Sequence, residues 1–449
     1  MKKRDLFIIT ALAAFVMLFR LWAGSLSSWD EAYYAHISRG LSNAVDWKGF
    51  IWGEAAFLDK PLLYMWATAL FYKLLGVSEF TTRLFSALCG IGTVVMIYVF
   101  SSRVFSRRAG IIAALMLMST YHFVWFSKMG TLDVSFTLFL LLSIYFFHKA
   151  GTEPVNMLWS ALWFTLAFLT KGVGAFLMPM IAGVYILARR RWDMIANRYT
   201  VLGALLFLAV GGGWYYARYL MHGGEVLRDG FFHHLVRRTT GTLDGHQGGP
   251  LSYVNAVLYK GKPWGAIGLA ALPFFFYRTV KQKWEEGYLL LSWVCVTFLL
   301  FTAVKTKLHW YIMPVYPALI MIGAWGADRL LRKYSVAVVA AASLASVLYF
   351  GMEKDIFTLD YNPEVKDFAV TVSGLSGGDE VYVYGLGDPG ARFYFGGFAR
   401  RVGTRPELEG ISRQSGAVIV SEPATIEDLG AEGRVIRSER SSYAAVKVE

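Results

Sequence analysis

Apolar runs that approach the thickness of a bilayer, separated by short clusters of Lys and Arg, fill the first 350 residues of this chain. A hydrocarbon core of about 30 Å takes roughly 20 apolar residues in a helix. Backbone polar groups at that depth must be satisfied within the segment itself, so such a sequence is confined to a bundle of membrane-spanning helices. Composition supports this reading: 56% of residues are hydrophobic and 17% charged, and 33 Phe, 25 Tyr and 15 Trp suit aromatic belts at the headgroup levels. A disordered chain or a secreted disulfide scaffold is excluded. Cys89 and Cys295 both lie in apolar runs and read as buried small hydrophobes rather than a disulfide, a metal pair or a nucleophile.

The net charge of +12 would raise nucleic acid as a partner for a soluble chain. Here most Lys and Arg sit between apolar runs, where they read as topology determinants beside an anionic membrane surface. Met1-Lys-Lys-Arg ahead of Leu6 to Trp22 fits a signal peptide or a first span; the length of the run and the lack of an A-x-A site favour a retained span. Lys2, Lys3 and Arg4 then lie inside, as do Arg103/Arg107/Arg108, Arg189/Arg190/Arg191, Arg278/Lys281/Lys283 and Arg329/Arg332/Lys333.

Parity allows only one crossing between the first outer loop and the Arg103 cluster. Leu62 to Leu75 is 14 residues, about 21 Å as a helix, and is expected to lie at the outer interface, leaving Leu84 to Phe100 as the second span. The remaining spans are expected near 109–126, 133–148, 155–169, 173–188, 200–217, 252–277, 287–304, 311–327 and 335–350, eleven in all. The expected architecture is thus a polytopic α-helical membrane protein with about 11 transmembrane helices, a juxtamembrane helix in the first outer loop and an outward C-terminus. Residues 1–350 form the membrane domain. Residues 351–449, with short β-type runs at Val381, Ala417 and Tyr443, form a small soluble α/β domain.

Charged residues at the outer membrane boundary are functional suspects because their placement is costly. Trp29-Asp30-Glu31-Ala-Tyr33-Tyr34 offers an acidic pair just past the first span. Helix capping explains Asp30 as readily as catalysis does, with Glu31 favouring the helix dipole, and the sequence leaves both readings open. Lys60, beside Pro61 at the start of the interfacial helix, can snorkel or hold an anionic phosphate. Asp133 and Lys171 sit at the same face, as do Arg237 and Arg238 by parity, while Lys305 and Lys307 break the positive-inside pattern. Carboxylates and several cations on one membrane face suit a site in which a carboxylate acts on a hydroxyl while cations neutralise a phosphate. His233, His234 and His246 match no strong zinc spacing, and Gly211-Gly-Gly and Gly385-Leu-Gly387 lack the partners of a nucleotide fingerprint. A transporter or flippase also brings charges to membrane depth, but tends to place them at the midplane of inverted repeats, of which none is visible.

Six segments in order carry a resemblance: Asp30-Glu-Ala-Tyr-Tyr-Ala, Asp59-Lys60-Pro61-Leu-Leu-Tyr, Thr131-Leu-Asp133, Leu169-Thr-Lys171-Gly, Phe232-His-His-Leu-Val-Arg-Arg and Lys305-x-Lys307-Leu-His-Trp-Tyr-x-x-Pro314-x-x-Pro317. Over roughly Leu6 to Ala327 the chain resembles the GT-C membrane glycosyltransferases of the aminoarabinose transferase and protein O-mannosyltransferase type (glycosyltransferase family 39), which use polyprenyl-phosphate sugars. It departs from the aminoarabinose transferases at Tyr33, where those have Arg, which leaves sugar and acceptor open.

The resemblance implies Asp30 as the base that deprotonates the acceptor, with Asp133 and Glu31 as further catalytic candidates. It implies Lys60 and an Arg of the 237–238 pair as holders of the lipid phosphate. Tyr33, Tyr34, Lys171, Lys305, Lys307 and His246 complete the expected substrate-binding set. The implied partners are a polyprenyl-phosphate-linked sugar, a lipid, glycan or protein acceptor and membrane lipids, with no cofactor, metal or nucleic acid. The implied place is the bacterial cytoplasmic membrane, with the site facing outward.

Overall fold

The computed structural model describes residues 2–43, 60–224, 248–353, 356–437 and 442–449. The chain opens with α1 (Lys3–Leu18), α2 (Asp30–Asn43), α3 (Leu63–Leu75) and α4 (Glu79–Val104). Ser78 caps α4 reciprocally with Thr81, which fixes where this 26-residue helix begins. Arg107 clasps Asp5 with a 2.7 Å bond from Nη2, tying the start of α1 to the residues just past the far end of α4. Helix α3 lies against α2 and α4, with Tyr64 and Tyr72 buried and the Tyr72 hydroxyl 2.6 Å from Thr82 Oγ1.

The expected span at 109–126 is two helices, α5 (Arg107–Met118) and α6 (Tyr121–Ser127), bent by 66°. At the break the Ser119 and Thr120 hydroxyls donate to Leu115 and Met116 carbonyls, while the Tyr121 and His122 N–H groups donate to the Lys262 and Lys260 carbonyls. A helix can be interrupted at depth only where other protein groups take up the freed backbone polar groups, and here a distant loop supplies them. That loop divides the expected 252–277 span too, into α12 (Ser252–Tyr259) and α13 (Trp264–Gln282), whose first residue follows Pro263.

Between these come α7 (Asp133–Ala150), α8 (Asn156–Lys171), α9 (Leu177–Arg189), α10 (Arg198–Phe207) and α11 (Gly213–His222), the last two joined through a π turn at Leu208–Gly212. A 3₁₀ turn, Gly172–Phe176, reverses the chain between α8 and α9, and Gly172 takes the left-handed φ of 58° that this turn requires. At the far end of α9, Arg191 donates to the Gly151 carbonyl and, with Arg189, meets Glu285, so α8 and α9 run antiparallel. The bundle closes with α14 (Glu285–Ala303), a 3₁₀ segment His309–Val315, α15 (Tyr316–Leu331) and α16 (Ser335–Glu353).

Among the described residues six helical segments are long and apolar enough to cross a membrane by length and composition, or seven with the bent pair. Two of the six, Asn156–Arg189 and His309–Glu353, each hold two of the helices named above, and α1 has 16 residues, about 24 Å. Cys295 is a correction: it is exposed on the surface of α14, whereas Cys89 is buried.

Beyond α16 the chain forms α17 (Pro363–Ser376), β1 (Val381–Val383), α18 (Pro389–Phe395), β2 (Ala399–Arg401), α19 (Arg405–Ile411), β3 (Val418–Ser421), α20 (Pro423–Leu429), β4 (Gly433–Arg437) and β5 (Ala444–Val448). The sheet order is β2-β1-β3-β5-β4, with β1 parallel to β2 and β3, and β5 antiparallel to β3 and β4. Alternate residues face opposite layers. Val381, Val418 and Ala445 pack with Phe368 and Val372 of α17, while Tyr382, Ile419 and Val446 pack with Leu408 and Ile426.

The segment 356–362 binds this unit to the first loop. Ser25 donates through N–H and hydroxyl to Asp360 Oδ1 (2.8 and 2.6 Å), and the Asn362 side chain donates to the Leu26 carbonyl (2.8 Å). Gly24, at φ +77°, has room for no side chain, since a Cβ would stand 2.2 Å from the Leu359 carbonyl oxygen. Tyr394 accepts from the Leu26 N–H and donates to Glu79; burial pushes its phenol up, so it stays protonated and can do both.

Candidate functional site

The loop after α1 turns at Gly24 and feeds α2, whose first residues are Asp30 and Glu31. These adjacent carboxylates have different surroundings. Glu31 is fully buried: its Oε1 accepts from Arg83 Nε and from the Gly130 N–H, both at 2.8 Å, and its Oε2 accepts from the Ser27 N–H at 2.8 Å. Arg83, 1% exposed near the start of α4, spreads its remaining donors over the Ala23, Ser25 and Leu359 carbonyls. A buried ion pair needs such complete hydrogen bonding, because uncompensated charge at that depth is strongly destabilising. Asp30 is partly exposed and has no hydrogen bond or ion pair among the described residues.

One turn further along α2, Tyr34 is buried and accepts a hydrogen bond from Lys60, whose ammonium also lies over the Tyr34 ring at 4.9 Å. Tyr33, Trp66 and Trp214 pack against the apolar cluster that holds Tyr34 and Leu132. The tight 130–133 turn brings Asp133 to the first turn of α7, where it is buried and ion-paired with Lys171 at the end of α8. Lys171 stands over the Phe136 and Tyr311 rings at 5.4 and 5.3 Å. Gly172 closes the ring of elements, since a Cβ there would lie 3.6 Å from Pro61 and 3.3 Å from the Tyr215 hydroxyl. The starts of α2 and α7, the 60–61 segment and the end of α8 therefore converge at one end of the bundle.

Lys307 has another duty: its ammonium donates to the Phe301 (2.9 Å), Thr302 (2.6 Å) and Val304 carbonyls and so caps the end of α14, and burial pushes the amine down. Lys305 is exposed and has no partner among the described residues. Arg237, Arg238 and His246, with Asp59, His233 and His234, lie outside the described residues. Among the described residues no three His, Cys, Asp or Glu groups come together as a metal site.

Arg83, Tyr311 and Tyr215 were not expected from the sequence. The signal for Arg83 is a lone basic residue immediately before the apolar run that begins at Leu84, on the face where basic residues are scarce.

Residues 59–215 match the family described as dolichyl-phosphate-mannose-protein mannosyltransferase. An uncharacterized protein of Aquifex aeolicus is 29% identical over 350 residues, covering 74% of this chain and 67% of that one. The undecaprenyl phosphate-alpha-4-amino-4-deoxy-L-arabinose arabinosyl transferase 2 of Pseudomonas fluorescens is 26% identical over 368 residues, covering 77% of this chain and 62% of its own length. The chain thus spans about three fifths of the arabinosyl transferase it matches. In fold, it resembles ArnT from Cupriavidus metallidurans bound to undecaprenyl phosphate, with a TM-score of 0.79 at 20% identity over 98% of this chain and 97% of that one. The Archaeoglobus fulgidus oligosaccharyltransferase follows at a TM-score of 0.63 and 12% identity, over 94% of this chain and 70% of that one. With the apolar helices of the bundle, these likenesses indicate a multi-pass membrane protein similar to the GT-C glycosyltransferases of the glycosyltransferase 39 type.

Proposed function

We propose that this enzyme moves a sugar from a polyprenyl-phosphate donor, of the undecaprenyl-phosphate type, to a lipid, glycan or protein acceptor at the outer face of the cytoplasmic membrane. The observation that carries the mechanism is the contrast among three carboxylates. Glu31 and Asp133 are buried against Arg83 and Lys171, while Asp30 keeps its oxygens unengaged among the described residues. A general base needs such free lone pairs within reach of the acceptor. The donor class is supported by the arabinosyl transferases named for undecaprenyl phosphate and by the fold shared with an enzyme holding that lipid.

In this scheme the acceptor oxygen attacks the anomeric carbon as the bond from that carbon to the phosphate oxygen breaks. Asp30 takes the acceptor proton, and the single displacement inverts the linkage. The departing lipid phosphate gains negative charge, which Lys60 and an Arg of the 237–238 pair stabilise. Tyr34 holds Lys60 at the mouth of the site. Lys171 neutralises Asp133 and sets the end of α8, while Tyr33, Lys305 and His246 are the further candidates for substrate contact. Glu31 and Arg83 position the base. The scheme calls for no nucleotide, since the sugar already carries an activated leaving group.

The direct test is transfer of radiolabelled sugar from a short-chain polyprenyl carrier by purified protein in detergent; no transfer to any envelope lipid, glycan or protein fraction would sink the reading. Lys60→Ala, or Arg237→Ala with Arg238→Ala, is expected to weaken donor binding and slow the single-turnover rate together, because these cations meet more charge in the transition state than in the ground state. Lys305→Ala and Lys307→Ala are expected to have smaller effects. Parent-like binding and rate in the Lys60 and Arg variants would move the phosphate site elsewhere.

Orientation has its own expected outcome: a reporter fused after Lys333 reads as cytoplasmic and one after Glu449 as outside. The reverse pair of results would overturn the outward-facing site.

A further inference from the structure

Helix α4, about 39 Å long at 1.5 Å per residue, separates the Glu31–Arg83 site from a second feature at the opposite end of the bundle. There the turn between α4 and α5, the start of α14 and the end of α15 enclose an open cavity of about 340 Å³. Arg108, Trp284, Trp325, Asp328, Arg329 and Arg332 line it.

This cavity has donors without acceptors. Its one carboxylate, Asp328, is already engaged by Ser106, Ser335 and Arg108 at 3.0–3.2 Å. Arg329 lies over the Trp325 ring at 4.7 Å, and neither Arg329 nor Arg332 has a hydrogen bond or ion pair among the described residues. Trp325 is 3% exposed, yet its indole N–H has no acceptor, and the buried Nε of nearby Arg278 has none either. Arg278 also repels Arg329. Burying a donor without a partner is costly, so this group of donors calls for an anionic, oxygen-rich ligand.

The surroundings choose among phosphates. Phe274, whose ring packs 5.4 Å from Trp325, is exposed beside the pocket, and so is Leu330. An apolar flank next to a cationic pocket at a helix-bundle end suits a ligand with both a phosphate and acyl chains. We propose that this pocket binds the headgroup of an anionic membrane phospholipid, with its phosphodiester on Arg329, Arg332 and the Trp325 N–H.

The test is native mass spectrometry of the full chain in detergent with added cardiolipin or phosphatidylcholine. The parent is expected to retain cardiolipin in preference to phosphatidylcholine. Arg329→Gln with Arg332→Gln, both exposed positions, is expected to lose cardiolipin by roughly tenfold or more, the scale of a lost charge-assisted pair. Lys2→Ala with Lys3→Ala removes the same charge from exposed N-terminal positions and is expected to retain the lipid. Should the Gln pair fail to melt like the parent in lipid-free detergent, Arg329→Lys with Arg332→Lys carries the test, with a severalfold fall expected because the guanidinium forks are gone. Three results overturn the proposal. They are undiminished cardiolipin on the pocket variants, an equal fall in the Lys2/Lys3 variant, or inorganic phosphate protecting lipid-free parent through the same two arginines while cardiolipin shows no preference.

Discussion

Asp30→Asn is expected to leave the protein folded and its donor affinity intact while lowering turnover by ~10²-fold or more, the usual reach of general-base loss. The expectation follows from what Asp30 does not do. It takes part in none of the hydrogen bonds that hold the first loop; those belong to Glu31, Arg83, Ser25 and Asn362. The amide has nearly the same shape and cannot accept the proton. A carboxylate in the first turn of a helix also contributes about 0.3–1 kcal/mol through the dipole, so a small drop in melting temperature is compatible with the proposal. Single-turnover rates with a short-chain donor separate the two contributions. Near-parent turnover would leave Asp30 with only its contribution to the helix dipole and the enzyme without its base.

The second large effect belongs to Arg83→Ala. Breaking a buried ion pair by removing one partner typically costs about 3–5 kcal/mol, because the other charge is left uncompensated. Here the loss goes further, since the Ala23, Ser25 and Leu359 carbonyls lose their donor along with the Glu31 carboxylate. The variant is therefore expected to melt well below the parent in detergent and to lose turnover in whatever fraction remains folded. Arg83→Lys should rescue part of the charge but not the fan of bonds, and so should fall between the two. Parent-like melting and turnover in Arg83→Ala would refute the positioning role of the pair.

The helices were legible in the sequence because apolar runs and basic clusters are local signals. The runs at Leu84, Asp133 and Glu285 hold helices close to the expected positions, and the apolar stretches at Val381, Ala417 and Tyr443 lie on β1, β3 and β5. The bends at 119–120 and 262–263 were not legible. Each depends on the other for its hydrogen bonds, a pairing across about 140 residues that no local pattern encodes. Likewise Asp30 and Glu31 look alike as neighbours. Only the arrival of Arg83, 52 residues on, and of the Gly130 N–H divides one into a buried strut and the other into an unengaged carboxylate. Lys307 shows the opposite case: its place in the motif pointed to ligand binding, and the nearby carbonyls of α14 claim it for a cap.

The fan of bonds around Arg83 has a consequence for the order in which the protein is made. Carbonyls from the first loop and from Leu359 meet on the same guanidinium, and Ser25 and Leu26 find their partners at Asp360, Asn362 and Tyr394. Residues translated first thus wait for residues translated after the last helix of the bundle. A nascent chain with all its membrane helices inserted would still have a loose loop around Asp30. On the proposed site, a chain ending at Glu353 lacks the Asp360, Asn362 and Tyr394 partners of the first loop and is expected to be inactive even with its helices inserted.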